Sequence, residues 1–382
     1  MRPFSTPPSS ARLLALAIAF FITGYAAIVG LRLAGRNDSE LTGIWAIVKA
    51  LAPYANLAIP TTMLYLWQMG SRRWLTHPAV ILLVILGFVI GVFQTGKMAM
   101  AEPLVFYLLL ALARYGWRQP MLWIVLALGL AGFQSFVFPI SQYVRNSGGR
   151  DLNLTQAVKT TTEVVASYLG DAHFREYVKQ FSLDTVHADE HSYFPPQLAA
   201  FDRIAMIAEA DRLFYSTDYY HEFTGWDTIT DGVLYSVPHF LYPMKPMYGT
   251  NNFLGQYTGD LSPTDFGTQI SYGFFANWYN AFDFPGVLLG SIATTIWIVF
   301  LVNLIATGSA TRDVWSLFAV LALNQSYVEQ SMSGQFSAIH LPIVAVILWG
   351  IAALIERAFP SHWRSLRGLP RTARVQTEGL SN

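Results

Sequence analysis

The chain alternates long apolar stretches with one polar segment, residues 141 to 285, and this alternation restricts it to a membrane-embedded fold. Five apolar stretches precede the polar segment and three follow it. Only 13% of the 382 residues are charged and 53% are hydrophobic, which is too apolar for a soluble domain of this length. The sequence therefore predicts a scaffold of membrane helices that carries one polar lobe, residues 141–285.

Runs of about 17 to 25 apolar residues predict transmembrane helices, and eight such runs are present. They fall at residues 13–33, 43–67, 78–94, 98–114, 120–140, 286–306, 313–330 and 337–355. The expected fold class is an all-α polytopic membrane protein with one large, partly helical periplasmic loop domain. The expected domains are an N-terminal bundle of five spans (1–140), the lobe (141–285), a C-terminal bundle of three spans (286–356) and a basic cytoplasmic tail (357–382).

The distribution of positive charge predicts the orientation of these spans. With both termini inside, twelve arginines fall in cytoplasmic segments, whereas the short outer loops hold only Arg32, Arg36 and Lys97. Cytoplasmic loops are enriched in Lys and Arg, and a large domain crosses the membrane regardless of its charge. The lobe is therefore expected outside, which for a multi-pass protein of the bacterial inner membrane means the periplasm.

The lobe is acidic and rich in aromatic residues. It holds 17 of the 24 Asp and Glu residues, 8 of the 24 Lys and Arg residues, and 28 of the 56 aromatic residues. Such a surface repels nucleic acid, so no nucleic-acid partner is expected. Its rings and hydrogen-bonding groups suit a sugar ligand.

Two stretches of the lobe are predicted to be helical, residues 155–181 and residues 196–215. The second follows the Pro195-Pro196 pair, which is a helix-start signal. From Trp226 onward, Gly, Pro, Asn and Tyr dominate, and this composition predicts irregular loops over the membrane surface.

Arg212 is the first candidate functional residue, because it lies on the apolar face of the helix predicted at 196–215. At about 100° per residue it shares one arc with Leu198, Phe201, Ala205 and Ala208. A guanidinium that faces a packed surface requires an anion. The anion is either a loop carboxylate in an ion pair or a ligand at the membrane surface. Arg203 lies on the opposite face of the same helix.

Polar residues also cluster near the predicted outer ends of the spans. They are Lys97, Glu102, Asn324, Gln325, Glu329, Gln330 and His340. Polar groups at one membrane depth favour a cleft that opens outward, although each alone also fits a side chain that reaches the interface. A general base is expected among Glu329, His340 and Glu209.

Several local patterns together resemble a known family. An apolar helix opens with Gly96-Lys97-Met98-Ala99-Met100, and the lobe carries arginines in Phe201-Asp202-Arg203 and Asp211-Arg212-Leu213. A Pro-x-Lys-Pro stretch follows at Pro243-Met244-Lys245-Pro246. The chain returns to a span through Tyr272-Gly273 to Phe284-Pro285-Gly286. Over most of residues 78 to 306 this layout resembles the O-antigen polymerase (Wzy-like) family, which polymerises oligosaccharide repeat units.

The resemblance implies a metal-independent, inverting glycosyl transfer that uses no cofactor. A glycan on undecaprenyl diphosphate would pass to the acceptor sugar of another lipid-linked unit. Arg203 and Arg212 match the family's loop arginines, which engage the lipid diphosphate, and Lys97 and Lys245 are candidate helpers.

The same resemblance implies residues that contact the sugar and partners of the protein. Trp226, Trp278 and Tyr279 are candidate walls for the sugar. The implied partners are membrane lipid and a chain-length regulator or flippase.

Other functions remain open at this point. Asp38-x-Glu40 after the first span fits a GT-C type polyprenyl-phosphate-sugar glycosyltransferase, whose acidic pair works as a base or binds metal. A non-catalytic transporter of lipid-linked glycans and an envelope scaffold are further alternatives. His187 and His191 are four residues apart in a polar connection, which is too weak a pattern to predict a metal site.

Overall fold

The computed structural model describes most of the chain, and its described residues form helices and no strand. The described residues are 8–33, 52–93, 97–115, 120–144, 154–187, 207–237, 242, 244, 250–265, 270–306, 314–316, 319 and 332–358.

The first half of the chain supplies the helices that precede the lobe and the first two helices within it. They are α1 (Ser10–Phe20), a π-helical segment (Phe21–Ala26), α2 (Ala27–Leu33), a 3-10 segment (Ala52–Leu57), α3 (Ala58–Gln68), α4 (Pro78–Phe93), α5 (Lys97–Tyr115), α6 (Pro120–Gly132), a second π-helical segment (Phe133–Val137), α7 (Phe138–Val144), α8 (Leu154–Gly170) and α9 (Ala172–His187).

The second half begins with lobe helices and returns to apolar ones. They are α10 (Ile207–Tyr220), α11 (Trp226–Ser236), α12 (Thr250–Tyr257), α13 (Gly273–Ile305), α14 (Met332–Ser337) and α15 (His340–Ala358).

The main core joins the two ends of the chain. Helix α1 packs against α3 and α15, and their apolar side chains form one buried cluster. At the edge of this cluster Arg12 and Glu356 form an ion pair of 2.6 Å, and the Arg12 guanidinium lies 4.4 Å from the centre of the Trp349 ring. The first and last described helices are therefore neighbours.

Within the described residues, three helical stretches are long and apolar enough to cross a membrane: Ser10–Gly30, Gly273–Ile305 and His340–Ala358. Pro78–Gly91 and Glu102–Leu112 are shorter apolar helices. The stretches α4 and α13 leave large apolar side chains exposed along one side, among them Leu82, Ile85, Leu288, Ile292 and Ile296. Contiguous exposed apolar surface of this kind is typical of a face that contacts lipid.

The limits of several predicted spans lie close to those of described helices. Helices begin and end within a few residues of the limits predicted at 78–94, 98–114 and 337–355, because each apolar run is bounded by polar or turn residues. The total of eight spans stays a prediction, since most of 313–330 and the start of 43–67 lie outside the described residues.

The described helices of the lobe pack mainly in two groups. Helices α8 and α9 pack on α7, with Ile140, Val144, Val164, Tyr168 and Val178 in their core. In the second group α10 packs on the start of α13, and their core also takes in α12. Helix α11 packs on α14.

Two predictions for the lobe were wrong. The helix predicted at 155–181 is broken at Asp171, whose carboxylate accepts the backbone N–H groups of His173 (2.8 Å) and Phe174 (3.2 Å) and so starts α9. The loops predicted from Trp226 onward contain α11 and α12. Their burial against neighbouring helices outweighs the low helix propensity of Gly and Asn.

Candidate functional site

The predicted residue Arg212 lies on α10 and forms an ion pair with Asp260. The side chains are 16% and 6% exposed, so the pair is largely removed from water. The second oxygen of Asp260 accepts hydrogen bonds from the Tyr272 hydroxyl (2.6 Å) and from Thr258 Oγ1 (2.8 Å). Four side chains, from α10, from the turn after α12 and from the residue before α13, thus form one polar network.

Tyr272 is the fully buried member of this network. Burial raises the pKa of its phenol above the ordinary value, and the hydrogen bond to Asp260 raises it further. The hydroxyl therefore stays protonated and donates to the carboxylate at any physiological pH.

The network confirms one of the two alternatives for Arg212, the ion pair with a loop carboxylate. A paired cation and anion carry no net charge, so Arg212 presents little attraction to an external anion while the pair is closed. Engagement of a lipid diphosphate by Arg212 stays a prediction, and it requires the ion pair to open.

Beside the network lies an exposed group of rings, which we call the aromatic surface: Tyr215, Tyr219, Tyr220, Phe253 and Tyr257. Tyr215 and Tyr219 are 68% and 66% exposed and lie one helical turn apart, with ring centres separated by 5.8 Å. Tyr219 contacts Tyr220 at 5.0 Å, Tyr220 contacts Tyr257 at 5.8 Å, and Tyr257 contacts Phe253 at 6.4 Å. The surface is therefore continuous from α10 to α12.

The aromatic surface is held to the interior through Tyr257. Its hydroxyl donates to the Ser216 carbonyl at 3.2 Å, which fixes α12 against α10. Burial raises the pKa of Tyr257, with a further contribution from Glu222. Tyr257 therefore keeps its phenol proton and remains a hydrogen-bond donor to α10.

The predicted sugar walls are divided between the interior and the surface. Trp278 and Tyr279 are buried; Trp278 packs with Phe274 and Met332, and the Tyr279 ring lies 4.3 Å from that of Phe214. Both rings thus pack the lobe instead of lining a surface. Trp226 is 72% exposed.

A kink in α13 separates the lobe from the span. The backbone is non-helical at Phe282 and Asp283, and Asp283 has a φ of 59° and a ψ of −159°. On the lobe side, fully buried Asn280 donates to Thr217 Oγ1 (2.8 Å) and accepts from Thr224 Oγ1 (2.9 Å). These bonds join the start of α13 to α10.

The other predicted residues are spread over several elements. Glu209 lies one turn before Arg212 on the first turn of α10, His340 begins α15, and Lys97 begins α5. Arg203, Lys245 and Glu329 lie outside the described residues. Within the described part of the chain, no group of three His, Asp or Glu side chains is placed to hold a metal ion.

Sequence reasoning missed Asp260 and Tyr272. Asp260 is 48 positions from Arg212, and it follows a Gly-rich stretch that gives no local signal of a buried carboxylate. Only the apolar environment of Arg212 indicated that some anion must be present.

An apolar cavity of about 200 Å³ lies where the membrane helices meet the lobe. Its wall combines α4, the second π-helical segment, α7 and α8. The lining residues are Phe88, Phe136, Val137, Ile140, Ser141, Val144, Thr161 and Val165.

Comparison of the chain with protein-family models, with curated proteins and with solved structures gives no match.

Proposed function

We propose that the protein polymerises oligosaccharide repeat units carried on undecaprenyl diphosphate, for surface polysaccharide or O-antigen, at the periplasmic face of a bacterial inner membrane. The aromatic surface is the observation that carries the proposal. A contiguous patch of exposed rings is typical of an interaction or ligand-binding site. Phenol rings offer an apolar face to the C–H groups of a sugar and a hydroxyl to its polar edge.

The membrane half of the molecule supports a lipid-linked substrate. The cavity beside α4 is lined almost entirely by apolar side chains, and it lies between membrane helices and the lobe helix α8. Part of a lipid chain can pass from the bilayer into such a cavity with little desolvation of polar groups, which would be costly. The glycan of the same molecule would remain at the lobe.

The transfer itself is a displacement at the anomeric carbon. The acceptor hydroxyl forms the new bond, the bond to the diphosphate oxygen breaks with inversion, and the diphosphate leaves with the electron pair. Arg203, Lys97 and Lys245 would offset the charge of the leaving group, and Arg212 would join them on release from Asp260. Glu329, His340 and Glu209 are the predicted candidates for the base.

The test is polymerisation by the purified protein in liposomes that contain an undecaprenyl-diphosphate-linked repeat unit. The wild type is expected to convert single units into a ladder of longer products. Replacing both Tyr215 and Tyr219 by Ala is expected to raise the KM by about tenfold or more, which corresponds to about 1.4 kcal/mol of lost binding. Leu169→Ala in α8 is the control, since Leu169 is equally exposed but lies away from the aromatic surface.

A second set of variants addresses the charges. Arg203→Ala and Lys245→Ala are expected to slow turnover, whereas Lys159→Ala, an exposed lysine of α8, should leave it unchanged. Activity that disappears with EDTA would favour the GT-C alternative. Movement of the lipid-linked unit across the bilayer without longer products would favour the transporter and contradict the proposal.

A further inference from the structure

Three polar side chains from three separate segments meet inside the membrane bundle. Tyr25 comes from the first π-helical segment, Asn56 from the 3-10 segment and Glu102 from α5. The Tyr25 hydroxyl donates to Asn56 Oδ1 at 2.8 Å, and Asn56 Nδ2 donates to Glu102 Oε2 at 2.8 Å. Tyr25 and Asn56 are buried, and Glu102 is partly exposed.

Both hydrogen bonds point toward Glu102. An ionised carboxylate only accepts, so the amide group of Asn56 must face it, and the amide oxygen is then left for the hydroxyl of Tyr25. Each donor polarises the next, which favours negative charge at the end of the chain. The network therefore holds Glu102 in one orientation as a hydrogen-bond acceptor.

The backbone around the network is adapted to it. Tyr25 lies in a π-helical segment between α1 and α2, and such segments inside helices frequently mark functional sites. Gly87 of α4 faces the network. A Cβ atom at this residue would lie 2.7 Å from the Tyr25 hydroxyl and 3.0 Å from Asn56 Oδ1. No larger residue fits there without displacing the network.

The network lies at the end of the bundle that carries the lobe. Glu102 is five residues into α5, a rise of about 7.5 Å from the start of the helix. Phe88, which follows Gly87, lines the apolar cavity together with Thr161 and Val165 of the lobe helix α8. The Glu102 carboxylate and the apolar cavity thus lie near each other, at the end of the bundle that carries the lobe.

We propose that Glu102 is the proton acceptor of the transfer reaction, positioned by Asn56 and Tyr25. The inference rests on the proposed function. As the acceptor oxygen forms its bond to the anomeric carbon, its O–H proton passes to the Glu102 carboxylate. The electron pair of the broken bond leaves with the diphosphate, and Glu102 then loses the proton to water. This assigns the base to a residue of the fourth predicted span instead of Glu329, His340 or Glu209.

The simplest alternative is that the network only joins helices, since side-chain hydrogen bonds commonly do so in membranes. Glu102→Gln separates the two roles. Glutamine keeps an oxygen that accepts from Asn56 but cannot accept a proton from a sugar hydroxyl at neutral pH. If Glu102 only joins helices, Glu102→Gln should leave kcat nearly unchanged. If Glu102 is the base, Glu102→Gln should lose most of its turnover.

The experiment measures kcat and KM of the full-length protein in liposomes with the lipid-diphosphate-linked repeat unit. Glu102→Gln is expected to lower kcat by about 10²- to 10⁴-fold with little change in KM. Glu102→Asp should keep part of the activity, and added formate should restore part of it to Glu102→Ala. The control is Thr23→Ala, since Thr23 lies in the same π-helical segment and its hydroxyl donates along its own helix, to the Ala19 carbonyl.

The outcomes separate the two proposals. An inactive wild-type protein refutes the proposed function and removes the basis of this inference. An active wild type together with an equally active Glu102→Gln overturns the inference alone. If Glu102→Gln does not fold, Tyr25→Phe gives the answer: kcat should fall several-fold at constant KM, and an unchanged kcat overturns the positioning of Glu102.

Discussion

At the scale of residues, the Arg212 and Asp260 pair shows how a buried charge is accommodated in the lobe. The guanidinium receives a carboxylate, and the carboxylate receives two hydroxyl groups. Attraction within such a pair is strong, but removing one partner leaves the other charge buried and alone. The pair is therefore a weak source of net stability and a sensitive site for mutation.

Asp260→Asn is expected to lower the free energy of unfolding of the lobe by about 3 kcal/mol, because it leaves the Arg212 charge uncompensated. Thermal or denaturant unfolding in detergent measures the change. Asp218→Asn is the matched control, as Asp218 is an exposed carboxylate on α10. Equal stability of the two variants would show that the ion pair is not buried in solution.

The same variant tests the predicted anion role of Arg212. If the guanidinium can serve a diphosphate, releasing it from Asp260 should tighten the binding of inorganic pyrophosphate. That increase should disappear when Arg212→Ala is added. Unchanged affinity in Asp260→Asn would restrict Arg212 to its structural role.

At the scale of elements, the kink in α13 decides how the lobe meets the span. Asp283 adopts a backbone conformation that essentially only glycine populates without strain. Its carboxylate accepts the backbone N–H of Phe284 at 2.7 Å, which starts the helix that follows. Pro285 and Gly286 come next, so the turn is encoded by consecutive residues.

Asp283→Gly is expected to raise the free energy of unfolding by about 1 kcal/mol, since strain is relieved in the folded state. Asp283→Ala should lower it by about 1 kcal/mol, because alanine keeps the strain and loses the bond to Phe284. Unfolding in detergent provides both values. A stabilising alanine would mean that the helix is continuous through position 283.

The elements also show how far the sequence was informative. Apolar runs between polar boundaries predicted the limits of α4, α5 and α15 closely, because such runs are a local property of the sequence. The break at Asp171 is also encoded locally, by Gly170 followed by a capping residue. By contrast, α11 and α12 depend on packing between residues far apart in the chain, which no local pattern reveals.

The candidate site was less predictable than the helices. Arg212 was selected correctly as a cation that needs an anion, but neither Asp260 nor the hydroxyl of Tyr272 could be assigned to it. Similarly, Glu102 was recognised as a polar residue near the end of a span, while its partners Asn56 and Tyr25 were not. Hydrogen-bond networks join distant segments, so their members become visible only once the helices are packed.

At the scale of the whole molecule, the predicted orientation can be measured directly because the chain contains no cysteine. A single cysteine at position 159 in the lobe should react with a membrane-impermeant maleimide on intact spheroplasts. A cysteine at position 72, in the turn between α3 and α4, should react only after the membrane is permeabilised. The reverse pattern would place the lobe in the cytoplasm and end the proposed function.

The contact between the first and last described helices has a consequence for biogenesis. Arg12 can contact Glu356 and Trp349 only after the ribosome has synthesised α15. Until then, the face of α1 that contacts α15 is uncovered, and insertion chaperones and proteases can bind it. Nascent chains that end before α15 would therefore expose the face of α1 that α15 covers, and quality-control proteases can recognise this exposed face.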